Sequence, residues 1–379
     1  MRSALINPAE VALNNNVSRS YSILRLLLQI TETSAPYNQL SLPLSNKHNI
    51  TICSYFKSKV LHPKEIKVLE GDGSLRGFFR MLGAALNEKE YDIIHVHSPH
   101  LGLLFLIANI FMRGRFLGSS VYTVHNSYQS YKLRNRLMLI PIFVFFPRVV
   151  CCGNACLESF PTLFKWLAAN RLCVVQNGID IGRVDRVTRA TLRTVPKNNF
   201  RIVTVGRLIP IKNHLSILRA FHQSDNWRSN LVFIGEGRLR NLLITESQKL
   251  GLGQRVKLTG LIPRDNVYEH LIKADLFVSA SRGEGIPIAV LEAMACRCPV
   301  LLSDIPPHRE LAHGTGFIPL IPPDDIAAFA REIKRFREMP SSERAEIGEK
   351  CRNLVEERFS LTAMHRGYEE VYADMLHKC

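Results

Sequence analysis

The second half of the chain alternates short apolar runs with stretches in which apolar residues recur every three or four positions. Short apolar runs bounded by turn residues predict buried strands, and the longer repeat predicts amphipathic helices. The predicted strands are residues 201–206, 231–234, 256–260, 276–279, 299–303 and 316–320. The predicted helices are residues 214–221, 266–274 and 288–295. This alternation predicts parallel βαβ units, which form a doubly wound domain.

The first half repeats the pattern less regularly. Its apolar runs predict strands at residues 23–30, 50–55, 66–69, 92–97, 121–125, 148–152 and 173–176. The mostly polar run 186–199 predicts a linker. We therefore expect a loose leader over residues 1–20, a first α/β domain over 21–180, a linker over 181–199, a second α/β domain over 200–360, and a final helix over 361–379 that crosses back to the first domain.

Two carboxylates lie on either side of a predicted strand-to-helix turn, Glu284 before the helix and Glu292 within it, with seven residues between them. Eight helical residues rise roughly 12 Å. This separation exceeds the paired carboxylates of a glycoside hydrolase, which need about 5 to 9.5 Å. The N–H groups around Gly285 and Ile286 open the helix and favour an anion. The two acids are therefore placed to hold the two ends of one elongated ligand, although two solvated glutamates are the alternative.

A basic loop and a glycine turn follow two earlier strands. Gly206 ends a strand and is followed by Arg207 and Lys212. Arginine offers a planar fork and lysine a point charge, and both suit a diphosphate, although either could be an ordinary surface residue. Gly235 and Gly237 form a Gly-x-Gly turn, which predicts close packing more than direct binding.

Together these residues resemble the EX7E signature of retaining glycosyltransferases of family four, which have the GT-B fold. The segments Gly-Arg-Leu…Lys-Asn from Gly206 and Asn-Gly-Ile-Asp at residues 177–180 resemble further motifs of that family. The resemblance covers nearly the whole chain. It implies two Rossmann-like, doubly wound domains that face a central cleft.

The resemblance also implies roles for these residues. Glu284 would face the donor sugar and Glu292 the ribose, while Arg207, Lys212 and the Gly285–Ile286 turn would bind the diphosphate. Gly206, Gly235 and Gly237 would shape the same site. The donor would be a nucleotide diphosphate sugar of UDP or GDP type, no further cofactor would be needed, and no Asp-x-Asp motif indicates a metal.

The first domain departs from the family pattern in one loop. Members often carry a Gly-Gly loop after the first strand, whereas residues 31–39 contain no glycine. Ser34, Tyr37 and Asn38 could offer hydrogen bonds to a hydroxylated acceptor, or could form a plain polar loop and helix cap. In the second domain, Pro306-Pro307 replaces a glycine-containing turn, so we assign Glu310 no contact.

Six histidines lie in the first domain, and four of them bear on the predicted site. His125 ends its strand where the family often has a histidine that approaches the donor sugar, and strand capping is the alternative role. His95 and His97 share one face of a strand, but no Cys or acidic set completes a zinc site. We expect His95 to bond within the fold, and His97 and His100 to line the acceptor side of the cleft.

The net charge of +16 is unevenly distributed, because residues 93–157 contain no Asp or Glu. Basic residues stand there among apolar ones: Arg113, Arg115, Lys132, Arg134, Arg136 and Arg148. The apolar run 137–146 is too short to span a bilayer of about 30 Å, and is either a core helix or a segment that enters a lipid interface. No nucleic-acid-binding motif accompanies the charge, so we expect no nucleic-acid partner. Basic, partly apolar first domains recur in family members that act on lipid-linked acceptors at the inner membrane face.

Composition agrees with a reduced, cytosolic setting. The nine cysteines show no metal-binding spacing, and those in strands behave as small apolar residues. Residues 1–20 are mostly polar and lack the apolar core of a signal peptide.

The sequence thus predicts a retaining hexosyltransferase that moves a sugar from a nucleotide sugar to a hydroxyl acceptor. We expect it in polysaccharide, lipopolysaccharide or glycolipid assembly, cytoplasmic or peripheral on the inner membrane face. Two alternatives remain, a non-catalytic GT-B assembly partner and a GT-B nucleotide-sugar epimerase.

Overall fold

The computed structural model describes residues 19–31, 34–191, 199–224, 228–285 and 287–377. Within these ranges the chain forms two parallel sheets. The strands of the first sheet are β1 (Ser22–Leu27), β2 (Asn49–Ser54), β3 (Lys67–Glu70), β4 (Ile93–Val96), β5 (Ser120–Val124), β6 (Arg148–Cys151) and β7 (Leu172–Val174). Those of the second are β8 (Phe200–Val205), β9 (Ser229–Ile234), β10 (Val256–Leu258), β11 (Leu276–Ser279), β12 (Val300–Ser303) and β13 (Leu320–Ile321).

Helices connect these strands. They are α1 (Leu42–Leu44), α2 (Leu75–Glu88), α3 (Pro99–Phe111), α4 (Leu133–Phe145), α5 (Asn154–Glu158), α6 (Thr162–Ala168), α7 (Ile181–Thr191), α8 (His214–Gln223), α9 (Arg240–Lys249), α10 (Arg264–Ile272), α11 (Ile288–Ala295), α12 (Pro306–Ala312), α13 (Ile326–Glu338), α14 (Ser341–Arg358) and α15 (Leu361–Leu376). A π-helical turn, Pro36–Ser41, precedes α1.

Each sheet reverses its strand order once. The first runs β3-β2-β1-β4-β5-β6-β7 and the second β10-β9-β8-β11-β12-β13. The reversal falls between β1 and β4 in one sheet and between β8 and β11 in the other. In doubly wound sheets, ligands bind outside the carboxyl ends of the strands at this switch point. The fold therefore points to the loops after β1, β4, β8 and β11.

The helix α15 packs on the first sheet although it follows the second domain in the chain. Its buried residues Met364, Tyr368, Tyr372 and Met375 join a cluster with β1, β2 and β4 side chains such as Ile23. Ser360 caps the start of α15, because its hydroxyl accepts a hydrogen bond from the Ala363 N–H at 3.3 Å. The chain thus passes twice between the domains.

The strand–loop–helix segment that carries the two glutamates has the secondary structure that the sequence predicted. Residues Leu276–Ser279 form β11 and Ile288–Ala295 form α11, as the apolar pattern predicted. All four β11 side chains are buried, and Phe277 pairs in register with Val300 of β12. Pro287 is the N-cap of α11.

Two predicted segments differ in the structure. The predicted strand 316–320 is largely irregular, and the last strand is the two-residue β13, Leu320–Ile321. Helix α7 occupies residues 181–191 of the predicted linker, because Val184 is buried in the core of the second domain. Residues 192–198 lie outside the described ranges, as does nearly all of the predicted leader.

Candidate active site

Glu284 lies in the loop after β11 and forms an ion pair with Lys212 from the loop after β8. The ammonium group contacts both carboxylate oxygens, and the Ser281 hydroxyl donates to Oε1 at 2.7 Å. The side chain of Glu284 is only 10% exposed and that of Lys212 22%. The pair therefore joins the two loops of the second switch point in a largely desolvated position.

The pKa of Glu284 reflects two opposing effects. Burial raises the pKa of the Glu284 carboxyl. The Lys212 ammonium and the hydrogen bonds from Lys212 and Ser281 lower this pKa by a larger amount, so the net shift is downward. Glu284 is thus an ionised acceptor and is unsuited to act as a general acid near neutral pH.

Glu292 lies in α11 and faces the other side of this switch point. Arg264 of α10 contacts its Oε1, and the Tyr268 hydroxyl donates to the same oxygen at 3.1 Å. Burial raises the pKa of Glu292 more than the Arg264 cation lowers it. Among the described residues, Oε2 accepts no hydrogen bond, so one carboxylate oxygen remains for a ligand.

A cavity of about 570 Å³ lies at the carboxyl edge of the second sheet and is called here the C-domain cavity. It is lined by Val205, Gly206, Arg207, Ile234, Gly235, Glu236, Gly260, Leu261, Ile262, Arg264, Val267 and Glu292. Arg207 is exposed at this cavity and has no ion pair within the described part of the chain. The cavity combines an apolar wall with a carboxylate and a free guanidinium, as small-ligand sites commonly do.

A second cavity of about 460 Å³, the interdomain cavity, lies between the two domains. Its lining is Ser127, Gln129, Ser130, Ala155, Glu158, Ser159, Ile211, Arg282, Gly283, Glu284, Ile305, Pro306 and Pro307. The two glutamates therefore line two separate cavities on either side of the α11 start. Ile286, which the sequence placed in the anion-binding turn, lies outside the described residues.

Glycines allow close backbone approach at both cavities. A Cβ on Gly285 would lie 2.3 Å from the carbonyl oxygen of His125, so the domains touch here through backbone atoms. Gly235 has φ of 141°, and a Cβ there would lie 2.0 Å from the carbonyl oxygen of Gly206. A Cβ on Gly237 would lie 2.5 Å from the Leu208 carbonyl oxygen. Gly235 and Gly237 thus shape the C-domain cavity through packing.

His125 follows β5 at the carboxyl edge of the first sheet and faces the α11 turn. Its Nε2 lies 3.0 Å from Nδ1 of His97, which follows β4. Burial lowers the pKa of His125 to about 4, so the ring is neutral near pH 7. His95 is fully buried and bonded to Tyr372 and Thr123, in agreement with a role within the fold.

In the loop without glycine, the side chains of Tyr37 and Asn38 contact other residues of the first domain. The Asn38 amide donates to the Ser34 carbonyl at 2.9 Å, and the Tyr37 hydroxyl lies 3.1 Å from Nδ1 of His62. Tyr37 is also buried. These contacts favour the interpretation as a polar loop and helix turn over the interpretation as an acceptor-binding loop.

Glu310 makes contacts that the sequence did not reveal. Its carboxylate accepts hydrogen bonds from the backbone N–H groups of Asn154 and Ala155, both at 2.8 Å. The Gln176 amide donates to the same carboxylate at 2.5 Å. Glu310 therefore binds the second domain to the first beside the interdomain cavity.

Arg264, Tyr268 and Ser281 were also missed. Arg264 and Tyr268 lie one helical turn apart on α10, and nothing in that sequence relates them to Glu292 until α10 and α11 pack together. In the described part of the chain, no group of three or more His, Cys, Asp or Glu side chains is arranged to hold a metal ion.

Two family models match the chain. Residues 192–354 match "Glycosyl transferases group 1", and residues 47–183 match "Glycosyltransferase Family 4". The chain belongs to the group 1 glycosyltransferases. The two matches fall on the two sheets, and together they account for most of this glycosyltransferase.

Relatives cover most of its length. It is 27% identical over 335 residues to an Escherichia coli UDP-Gal:alpha-D-GlcNAc-diphosphoundecaprenol alpha-1,3-galactosyltransferase, which spans 83% of this chain and 82% of the relative. It is 28% identical to the putative glycosyltransferase EpsD of Bacillus subtilis over 74% of each chain.

Solved structures confirm the GT-B fold of this glycosyltransferase. Sucrose-phosphate synthase from Thermosynechococcus elongatus superposes with a TM-score of 0.79 at 17% identity, covering 94% of this chain and all of the other. Anabaena HepE in complex with UDP and glucose superposes with a TM-score of 0.77 at 18% identity, covering 93% of this chain and all of HepE.

The Lys212–Glu284 pair yields a pH-dependent prediction. The lowered pKa of Glu284 contributes stability that is present above the ordinary carboxyl value of 4.5 and is lost as the pH falls through the folded-state value. In Lys212→Met the ammonium group is absent, so burial raises the pKa of Glu284. The buried, unpaired Glu284 carboxylate then destabilises the fold at neutral pH. We expect a loss of about 3 to 5 kcal/mol at pH 7 that shrinks towards pH 4.

Denaturant unfolding at the two pH values measures this difference. The matched control is Arg282→Met, whose ion pair with Asp324 is 46% and 68% exposed and should contribute at most about 1 kcal/mol. An equal loss for Lys212→Met at pH 7 and pH 4 would show that Glu284 is not held ionised by Lys212.

Proposed function

We propose that this glycosyltransferase moves a sugar from a nucleotide diphosphate sugar to a hydroxyl acceptor, with retention at the anomeric carbon. The observation that carries the proposal is that Glu284 lines the interdomain cavity and Glu292, within α11, lines the C-domain cavity. One elongated donor can occupy both cavities, with its diphosphate between them. The UDP-galactose in the name of the E. coli relative and the UDP in the Anabaena complex make uridine diphosphate sugars the first donors to test.

The nucleoside end of the donor belongs in the C-domain cavity. The free Oε2 of Glu292 can accept hydrogen bonds from the ribose hydroxyls, while Arg264 and Tyr268 hold Oε1 in place. Apolar residues such as Leu261 and Ile262 line the same cavity and can cover the base. This division between one oriented carboxylate and an apolar wall suits a nucleoside.

The diphosphate belongs at the start of α11. The first N–H groups of a helix have no intrahelical partner and favour an anion. Arg207 lines the C-domain cavity together with Glu292, is exposed and has no competing ion pair among the described residues. Lys212 contacts Glu284 in the loop that leads into α11. As the glycosidic bond breaks, negative charge grows on the diphosphate, and these groups stabilise it.

The ion pairs of the two glutamates support the proposed retention. Both glutamates already bind cations, so neither is a free nucleophile beneath the sugar. The bond from the anomeric carbon to the phosphate oxygen breaks, and the acceptor oxygen bonds to that carbon from the same face. The acceptor proton passes to the leaving phosphate oxygen, so no protein base is required. The close contact between Gly285 and His125 helps to exclude water that would hydrolyse the donor.

The acceptor belongs on the side of the first domain, and we propose that it is lipid-linked. An apolar groove of about 350 Å³ opens near the carboxyl ends of β1 and β2, lined by Leu28, Tyr55, Phe56, Leu75, His100, Leu101, Leu103, Leu104 and Met138. Beside it, α4 exposes Leu133, Leu137 and Ile140 along one face. Lys132 and Arg134 are exposed at the start of the same helix. An apolar face bordered by cations suits an anionic membrane surface.

The described residues contain no helix that is both long and apolar enough to cross a bilayer. We propose that the membrane contact is peripheral and lies at the cytoplasmic face. A part in polysaccharide or lipid-linked glycan assembly agrees with the names of the relatives, one of which acts on a diphosphoundecaprenol acceptor.

A second candidate function is that of a non-catalytic assembly partner. The observation in its favour is the loop without glycine, whose Tyr37 and Asn38 bond internally. Turnover of any nucleotide sugar separates the two candidates.

Arg207 provides the sharpest test of the donor site. Because it faces charge that grows in the transition state, Arg207→Gln should lower kcat by about 100-fold while changing donor affinity less. Glu292→Gln should mainly raise the donor KM, because a ribose contact exists in both ground and transition states. Release of nucleoside diphosphate from the sugar nucleotide measures both constants.

Arg331→Gln is the matched control, since Arg331 is exposed on α13 and lines neither cavity. Its constants should equal those of the wild type. Unchanged turnover in folded Arg207→Gln protein would refute the diphosphate site, and absence of nucleotide-sugar binding by the wild type would refute the proposed function.

Membrane contact generates a separate prediction. The protein should bind vesicles that contain anionic lipid and leave them at 1 M salt, where the screening length falls to about 3 Å. Leu137→Ser combined with Arg134→Gln should weaken binding, by about 1 kcal/mol for the lost charge alone. Vesicle flotation measures the bound fraction.

Leu242→Ser combined with Arg331→Gln is the control, because it removes an exposed leucine and an exposed arginine from the second domain. Equal binding to neutral vesicles, or equal weakening by both double variants, would remove the proposed membrane surface.

A further inference from the structure

Hydrogen bonds and ring contacts connect α15 with the cleft through the first sheet. The Tyr372 hydroxyl lies 2.8 Å from Nδ1 of His95, whose Nε2 lies 2.7 Å from the Thr123 hydroxyl. The ring of His95 packs on that of His97 with centroids 4.0 Å apart. Nδ1 of His97 then lies 3.0 Å from Nε2 of His125, whose backbone carbonyl oxygen lies against Gly285 before α11. The last of these contacts lies at the switch point of the first sheet.

The three histidines of this network of hydrogen bonds and ring contacts, His95, His97 and His125, are neutral near pH 7. Burial lowers the pKa of His95 and His97 well below the ordinary value, and lowers that of His125 to about 4. A neutral imidazole carries one N–H and one bare nitrogen. The contact between His97 and His125 therefore has one donor and one acceptor, and two arrangements are open.

The surroundings of His97 distinguish these two arrangements. Its Nε2 is buried and has no hydrogen-bond partner. If His125 donated to Nδ1 of His97, the single proton of His97 would lie on Nε2 as a buried N–H without an acceptor. If His97 donates through Nδ1, Nε2 is only an unused lone pair. Buried unpaired N–H groups are rarer than under-used acceptors, so the second arrangement is favoured.

The donor direction determines the tautomer of His125. When His97 donates to Nε2 of His125, the proton of His125 must lie on Nδ1. That nitrogen has no partner among the described residues, and His125 as a residue is half-buried at the carboxyl edge of the sheet. His125 then presents an N–H donor, and not a bare nitrogen, to whatever occupies the cleft.

We propose that His97 is a positioning residue that holds His125 as a neutral Nδ1–H donor towards a sugar hydroxyl or the ring oxygen of the donor. This inference rests on the proposed function, because it assumes that the donor sugar lies beside His125. His97 itself touches no substrate. Its role resembles that of any partner that orients a reactive histidine by occupying the other ring nitrogen.

Histidine-selective ¹⁵N NMR of the ligand-free protein tests the tautomer without any assay of activity. The resonances of His125 are assigned by their loss in His125→Ala. We expect a protonated Nδ1 and a bare Nε2 for His125, and a protonated Nδ1 for His97. A protonated Nε2 on His125 would overturn the proposal.

Two substitutions at His97 test the consequence for catalysis. Asparagine places an amide N–H near the position of Nδ1, whereas glutamine reaches the position of Nε2. His97→Asn should keep kcat near the wild-type value and preserve the His125 tautomer. His97→Gln should lower kcat about tenfold, the effect of one hydrogen bond lost from the transition state, with little change in nucleoside diphosphate affinity.

The outcomes separate this inference from the proposed function. Equal losses in folded His97→Asn and His97→Gln would mean that the Nδ1 donor is irrelevant and would overturn the positioning role. Unchanged kcat in His125→Ala, with normal turnover in the wild type, would overturn the catalytic part of the inference while leaving the donor site at Arg207 intact. If the wild-type protein turned over no nucleotide sugar, that result would instead refute the proposed function.

Discussion

The ion pair between Lys212 and Glu284 holds the site together. It joins the loop after β8 to the loop after β11, and these two strands are neighbours at the point where the order of the second sheet reverses. Parallel strands end at one edge, so the two loops necessarily meet there. Desolvation of both side chains makes the pair costly to break, because a single partner would remain as a buried charge. The start of α11, the interdomain cavity and the position of Gly285 against the first domain all depend on this loop arrangement.

The two domains place groups of different charge at the cleft. The second domain places cations and oriented N–H groups around the α11 start, where the proposed leaving group would carry growing negative charge. The first domain presents His125, kept neutral by burial, and the buried rings of His97 and His95 pack behind it. A positive charge on His125 would have to be generated in a desolvated position, which is unfavourable. The cleft can therefore orient a neutral sugar from one side and stabilise an anion from the other.

Much of this arrangement could be predicted from sequence, and each exception has its own physical cause. The apolar pattern located β11 and α11 to the residue, because both elements are buried and bounded by Gly and Pro. It failed for β13, because two residues at a sheet edge carry too little periodicity to be distinguished from a loop. It also missed α7, because a mostly polar helix with one buried valine resembles a linker.

The partners of Glu292 and the contacts of Glu310 could not be predicted, since each depends on helices or domains that meet only in three dimensions.

The central claim is that the acceptor attacks the donor sugar on the face from which the diphosphate leaves. Glu284 and Glu292 are both engaged by cations, and this mechanism needs no protein base on the opposite face of the sugar. The direct measurement is ¹H NMR of the anomeric proton in the first product formed from an α-linked nucleotide sugar. We expect the transferred sugar to be α-linked in this product. A β-linked first product would require a base on the opposite face of the sugar and would contradict it.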